Sequence, residues 1–159
     1  MSSPRKLLVV DDESNARNAL AELLRDEGFE VETAIHGVDA LDKAARFHPH
    51  VVITDLDMPG LDGVELVVRV RTAADPPSVI GITSFGESTR ALSALRAGAT
   101  DYLTKPIRFD ELLAVLATAI RMHDMEREIA WHREREGPAL ALSNAARSSR
   151  SGQRARRVS

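Results

Sequence analysis

Cysteine is absent from all 159 residues, which excludes both a disulfide framework and a thiolate metal site and fits a reducing compartment. No apolar run approaches the ~18 residues that a membrane span requires. The N-terminus passes from Met1-Ser2-Ser3-Pro4-Arg5-Lys6 directly into a strand-like run, without the pattern of a signal peptide. The expectation is a cytoplasmic protein with no membrane partner. The phosphate-cradling pattern G-x-x-x-x-G-K-[ST] is missing as well, so a P-loop NTPase is excluded.

The chain is 43% hydrophobic, enough at this length to bury one core, and length alone favours a single domain. The net charge of −3 conceals an uneven distribution. Residues 1–123 carry 13 Lys or Arg against 19 Asp or Glu, whereas residues 137–159 carry five Arg and no acid. An acidic body is followed by a basic tail.

Apolar runs alternate with helical periodicity as far as residue 123. Lys6 to Val10 reads as a buried strand. Ser14 is the expected N-cap of a first helix whose apolar face is Ala16, Ala19, Leu20, Leu23 and Leu24, and Gly28 stops it. Phe29 to Ala34 alternates as a second strand, and Val38, Leu41 and Ala45 mark the inner face of a second helix. Strands are expected at Val51 to Thr54, Val79 to Thr83 and Asp101 to Thr104, separated by helices at Leu61 to Val70 and Glu87 to Ala97. Five strands alternating with five helices call for a doubly wound α/β fold, a parallel sheet covered on both faces through right-handed crossovers. The last helix runs on through Ala119, Met122, Met125 and Ile129, with no breaker before Gly137-Pro138. A helix of about 28 residues is about 42 Å long at ~1.5 Å per residue, so its distal end must leave a small domain. Residues 124–137 are thus an extension, and residues 138–159 a basic tail with little apolar content and no expected structure.

The chemistry gathers at strand ends. The apolar run Val51-Val52-Ile53-Thr54 ends in Asp55, the first strand ends in Asp11-Asp12-Glu13, the fourth in Thr83-Ser84, and Lys105 follows the fifth. Each residue taken alone is equally well explained as turn chemistry or surface charge. In an open parallel sheet, however, all these loops lie on one edge and surround one pocket. Carboxylates crowded together call for a hard divalent cation with oxygen ligands, Mg²⁺ or Mn²⁺. A lysine and a hydroxyl beside such a cation suit a phosphoryl group, with Asp55 as the attacking oxygen of an acyl phosphate.

Through Val9-Val10-Asp11-Asp12-Glu13, Asp55-Leu56-Asp57-Met58-Pro59-Gly60-Leu61-Asp62-Gly63, Thr83 and Asp101-Tyr102-Leu103-Thr104-Lys105-Pro106, the chain resembles the receiver domain of two-component response regulators over residues 5–123. The resemblance implies a flavodoxin-like sheet of order 2-1-3-4-5. It implies that Asp55 accepts phosphate from a sensor histidine kinase or phosphotransfer protein. Asp12, Asp55 and the backbone carbonyl of Asp57 would bind Mg²⁺, with Asp11 acting through water. By the same resemblance, Thr83 and Lys105 contact the phosphoryl group, Tyr102 turns inward on activation, and the bond before Pro106 is cis. The face formed by the fourth helix, fifth strand and fifth helix would meet a downstream protein or a second copy. Such a domain is not an enzyme beyond its own phosphotransfer and dephosphorylation. Asp57 departs from the commonest pattern, since its extra carboxylate can reach the pocket rim, repel an anionic donor or orient a hydrolytic water. Ser84 also departs, standing where a small apolar residue is usual.

A rival is the haloacid-dehalogenase-like phosphatase, which also uses Asp-x-Asp, a hydroxyl and a lysine. Order separates the two, because that superfamily places its Asp-x-Asp at the first strand and its acidic pair last. After residue 123 the chain has too little left for a helix-turn-helix or ATPase domain, so the expectation is output through protein contacts. Met122, Met125, Ile129 and His132 follow a 3,4,3 spacing that suits a short helix-pair seam. The alternatives are a receiver remnant of a regulator that has lost its effector domain, or a regulator whose basic tail binds nucleic acid. Five Arg without interleaved aromatics would supply only nonspecific attraction to phosphates.

Overall fold

The computed structural model describes residues 3–84 and 89–158, with side chains as far as residue 135. Five strands, β1 (Lys6–Val10), β2 (Glu30–Ala34), β3 (Val51–Asp55), β4 (Ser78–Thr83) and β5 (Asp101–Thr104), alternate with helices α1 (Ser14–Asp26), α2 (Gly37–Phe47), α3 (Gly63–Arg71), α4 (Thr89–Ala97) and α5 (Phe109–Val158). All the strand pairings are parallel, and the order is β2-β1-β3-β4-β5, the flavodoxin-like arrangement. β3 and β4 are buried along their whole length and read as continuous apolar runs, as strands covered on both faces do.

Strand alternation sorts the core into two layers. Leu7, Val9, Ile53 and Ile80 pack with Ala21 and Leu24 of α1 and with Leu112, Leu116 and Ala119 of α5. On the opposite face Leu8, Val10, Val52 and Val79 meet Ala40 of α2, Leu66 and Val67 of α3 and Ala94 of α4. The chain divides into two compact units, Met1–His123 and Asp124–Ser159. In the second unit Met125, Ile129 and Trp131 are about half exposed, and the Arg135 guanidinium lies 4.6 Å from the Trp131 ring centroid.

Several local expectations shift. The N-cap of α1 is Glu13 rather than Ser14, because the longer carboxylate reaches two orphan amides at once, those of Asn15 at 3.1 Å and Ala16 at 2.9 Å. The inner face of α1 is Arg17, Leu20, Ala21 and Leu24, while Ala16, Ala19 and Leu23 are exposed. A 3,1,3 spacing makes one stripe, and the five apolar residues first assigned spread over too wide an arc. On α2, Ala40, Leu41 and Ala44 turn inward, whereas Val38 and Ala45 are exposed. α3 begins at Gly63, with Asp62 as its cap accepting from the Glu65 amide at 2.9 Å. Glu87, the anticipated start of the fourth helix, lies outside the described residues.

The largest difference concerns α5, which does not stop at Gly137-Pro138 but continues to Val158. Pro138 has no N–H to give to the ladder. The segment that follows is nevertheless rich in strong helix formers, Ala139, Leu140, Ala141, Leu142, Ala145 and Ala146, so one missing bond does not end the run.

Gly63 holds the β3–α3 loop close to the sheet. A Cβ there would meet the carbonyl oxygen of Asp55 and approach the Leu56 Cα to 2.5 Å, and both obstacles are backbone. Gly63→Ala is expected to cost about 1–3 kcal/mol of stability, the range for overpacked sites, measured by urea unfolding; a midpoint equal to wild type would contradict this packing.

Candidate functional site

Each chemical side chain reaches the carboxyl edge because its strand ends there. Pairing persists one residue past the strands: Asp11 donates its amide to the Ala34 carbonyl at 3.2 Å, Leu56 to Ile82 at 2.8 Å, and Lys105 to Thr83 at 2.8 Å. These bonds fix three loops in register, and the adjacency of β1 with β3 and of β3 with β4 brings the acids and the hydroxyl together.

Carboxylate oxygens of Asp11, Asp12 and Asp55 all lie within 4.8 Å of one another. Asp12 is exposed, whereas Asp55 is 4% exposed and Asp11 9%. Burial pushes the Asp11 carboxyl above its ordinary range, against a bond from the Glu13 amide at 3.0 Å that favours ionisation, and the nearby charges of Asp55 and Asp12 add to the rise. Asp55 is gripped on both oxygens. Its Oδ2 accepts from Lys105 Nζ at 3.0 Å, and its Oδ1 from the Asp57 amide at 2.8 Å. For Lys105, burial favours the neutral amine, but the hydrogen bond to Asp55 and the charges of Asp55, Asp11 and Asp57 outweigh it and raise the pKa. The Lys105–Pro106 peptide bond is cis. A crevice of about 290 Å³, bordered by Asp11, Glu13, Lys105 and Pro106, opens beside the cluster.

Asp57 is divided between two tasks. Its amide serves Asp55, while its carboxylate turns to the end of β4, where Oδ2 accepts from the Thr83 hydroxyl at 3.2 Å and the Ser84 amide at 3.1 Å. Oδ1 lies 3.9 Å from Nη1 of Arg90 on α4, and the same nitrogen donates to the Leu56 carbonyl at 2.8 Å. To the three roles open to this carboxylate in the sequence, the structure adds a fourth, accepting a bond from the Thr83 hydroxyl. Arg90 was missed altogether. It is one of several arginines on helices, and no local pattern distinguishes it. Tyr102 is half buried on β5.

The donor set is all oxygen and hard, three carboxylates, which fits a divalent cation such as Mg²⁺ and no thiophilic metal. Crowded anions flanked by one ammonium and one hydroxyl form a site that can accept a phosphoryl group and neutralise its oxygens.

A parallel doubly wound domain with an acidic, lysine-flanked carboxyl edge is a class of signalling and phosphoryl-handling modules as well as of nucleotide binders. Comparison with known proteins narrows it: the chain belongs to the response regulator receiver domains of two-component systems, whose family model matches residues 7–117. It is 37% identical over 129 residues to the regulatory protein AtoC of Escherichia coli strain K12, covering 81% of this chain and 28% of that protein. Response regulator MprA of Mycobacterium sp. strain KMS is 38% identical over 118 residues, 74% of this chain and 51% of that one. Among solved structures, a response regulator receiver domain protein from Clostridium thermocellum superposes with a TM-score of 0.72 at 32% identity, over 76% of this chain and 98% of that one. The chain thus spans about a quarter and about half of the two curated relatives. No helix among the described residues is long and apolar enough to cross a membrane.

The Asp11 shift has a testable sign. An acid whose pKa is raised by folding destabilises the protein once ionised, a cost that grows as pH climbs from about the ordinary value of 3.8. In EDTA at pH 7, Asp11→Asn is expected to unfold at higher urea than wild type, with the gap closing as pH falls toward that value. A variant less stable than wild type at pH 7 would contradict the cost of holding that buried charge beside two others.

Proposed function

We propose that the chain is a phosphorylation-dependent cytoplasmic switch in which Asp55 is the phosphoacceptor for a sensor histidine kinase or phosphotransfer protein. The observation that carries this reading is the Lys105 Nζ at 3.0 Å from a nearly buried Asp55 inside a cluster of three acids. An Asp55 oxygen forms a bond to phosphorus as the P–N bond of the donor's phosphohistidine breaks. The electron pair returns to the imidazole nitrogen, which takes up a proton. Water later cleaves the acyl phosphate, releasing inorganic phosphate and restoring the carboxylate.

Asp12, Asp55 and the backbone carbonyl of Asp57 would hold Mg²⁺ or Mn²⁺, with Asp11 acting through water; the cation, when bound, offsets charge on the phosphoryl oxygens. The chain's own groups do the rest. Lys105 pairs with one phosphoryl oxygen, the Thr83 hydroxyl donates to another, and Gly63 allows the loop to lie close to Asp55. Phosphorylation adds charge that Thr83 and Lys105 can follow. The expected result is a population shift in α4, β5 and α5, with Tyr102 turning inward, that suits this face to a downstream protein or a second copy.

The exposed Met125 and Ile129 favour a secondary reading, pairing of the α5 extension in a homodimer. Nucleic-acid binding by the basic tail is the alternative output. The haloacid-dehalogenase-like reading loses ground, since the chain belongs to the receiver family.

Transfer of radiolabelled phosphate from an autophosphorylated histidine kinase tests the site. Label is expected on wild type with Mg²⁺, absent with EDTA and absent from Asp55→Asn, while Lys105→Met slows transfer by about 100-fold, the scale for losing one charge-stabilising donor. Label retained on Asp55→Asn would overturn the assignment.

A further inference from the structure

We propose that the Asp57 carboxylate is a latch on the switch hydroxyl, holding Thr83, Ser84 and Arg90 in the resting arrangement until a phosphoryl group competes for them. The inference rests on Asp55 as phosphoacceptor and concerns what opposes its activation. A threonine hydroxyl carries one proton and serves one acceptor at a time. Asp57 Oδ2 is an acceptor for it here, at 3.2 Å. A phosphoryl oxygen on Asp55 would compete with that carboxylate for the proton, and hydrogen bonds to ionised acceptors are stronger than neutral ones.

The latch joins three segments that are distant in sequence. Asp57 sits in the β3–α3 loop, Thr83 and Ser84 end β4, and Arg90 is the second residue of α4. Oδ2 takes both β4 donors, leaving Oδ1 toward Arg90 at 3.9 Å, while Arg90 is anchored on the Leu56 carbonyl at 2.8 Å. Removing the Thr83 hydroxyl from this set weakens the tie between the loop and β4. A new phosphoryl charge nearby also gives the Arg90 guanidinium a second anion to face. The side chain thus opposes activation even though the same residue's amide steadies Asp55. Repulsion of the incoming anion by the Asp57 charge is a separate effect, and it does not pass through Thr83.

A double-mutant cycle separates the two effects. The Kd of beryllofluoride, a phosphoryl analogue, is measured by calorimetry with Mg²⁺ for wild type, Asp57→Ala, Thr83→Ala and the double variant, with Asp57→Asn as a variant that removes charge but keeps an acceptor oxygen. Asp57→Ala is expected to tighten binding by about tenfold, within the usual range of coupling in a two-state switch, and Asp57→Asn by less. In the Thr83→Ala background most of the Asp57→Ala gain should vanish. In the metal-free, unphosphorylated protein, Asp57→Ala should also lower hydrogen-exchange protection of the Ser84 amide. An unchanged gain without Thr83, no gain with it, or unchanged Ser84 protection overturns the latch. If wild type fails to bind the analogue, or Asp55→Asn binds it equally well, the phosphoacceptor reading falls and the latch with it.

Discussion

Repulsion between carboxylates at the end of a buried strand, and its incomplete relief by one lysine, is the interaction on which the rest of this molecule turns. Asp55 sits at 4% exposure with two more acids whose oxygens lie within 4.8 Å. Lys105 alone does not balance three anions, and the Asp11 carboxyl, raised first by burial, is raised further by the charges of Asp55 and Asp12. Such a cluster stores a preference for added positive charge. The fold exists to hold it: parallel strands in the order 2-1-3-4-5 bring β1 against β3 and β3 against β4, and the pairing continues just past each strand. Core packing on both faces keeps those strand ends from relaxing apart.

Much of this was legible in the sequence for a simple reason. A strand buried on both faces must be apolar throughout, so a carboxylate closing the run at Asp55, or following it at Asp11-Asp12, announces the edge where chemistry is possible. The five strands and their approximate ends followed from the same contrast. Helix faces were harder, because α1 offers more apolar residues than one stripe can bury, and only packing selects Leu20, Ala21 and Leu24 over Ala16, Ala19 and Leu23. The Glu13 cap was missed because a serine in the next position has the better propensity, although the glutamate side chain reaches two amides. The course of α5 beyond Pro138 ran against a local rule that tolerates exceptions when strong helix formers follow.

Arg90 and the side chain of Asp57 show where reading along the chain fails in principle. Their association spans the β3–α3 loop and α4, and neither residue belongs to a spacing that points to the other. Asp57 was visible as an unusual acid, yet its partners Thr83 and Ser84 emerge only when β4 is laid beside β3. These contacts tie the β3–α3 loop and the end of β4 to α4, one of the elements that the proposed phosphorylation would rearrange. A switch of this kind needs its two arrangements to be close in free energy, so that one covalent group decides between them.

The proposed switch depends most directly on which carboxylate takes the phosphoryl group. Incubation with acetyl phosphate and Mg²⁺, reduction of the acyl phosphate with borohydride and peptide mass spectrometry would locate it. Asp55 is expected to be converted to homoserine, with Asp11, Asp12 and Asp57 unmodified. Modification at any of those three instead, or none under conditions where the protein is folded, would contradict it.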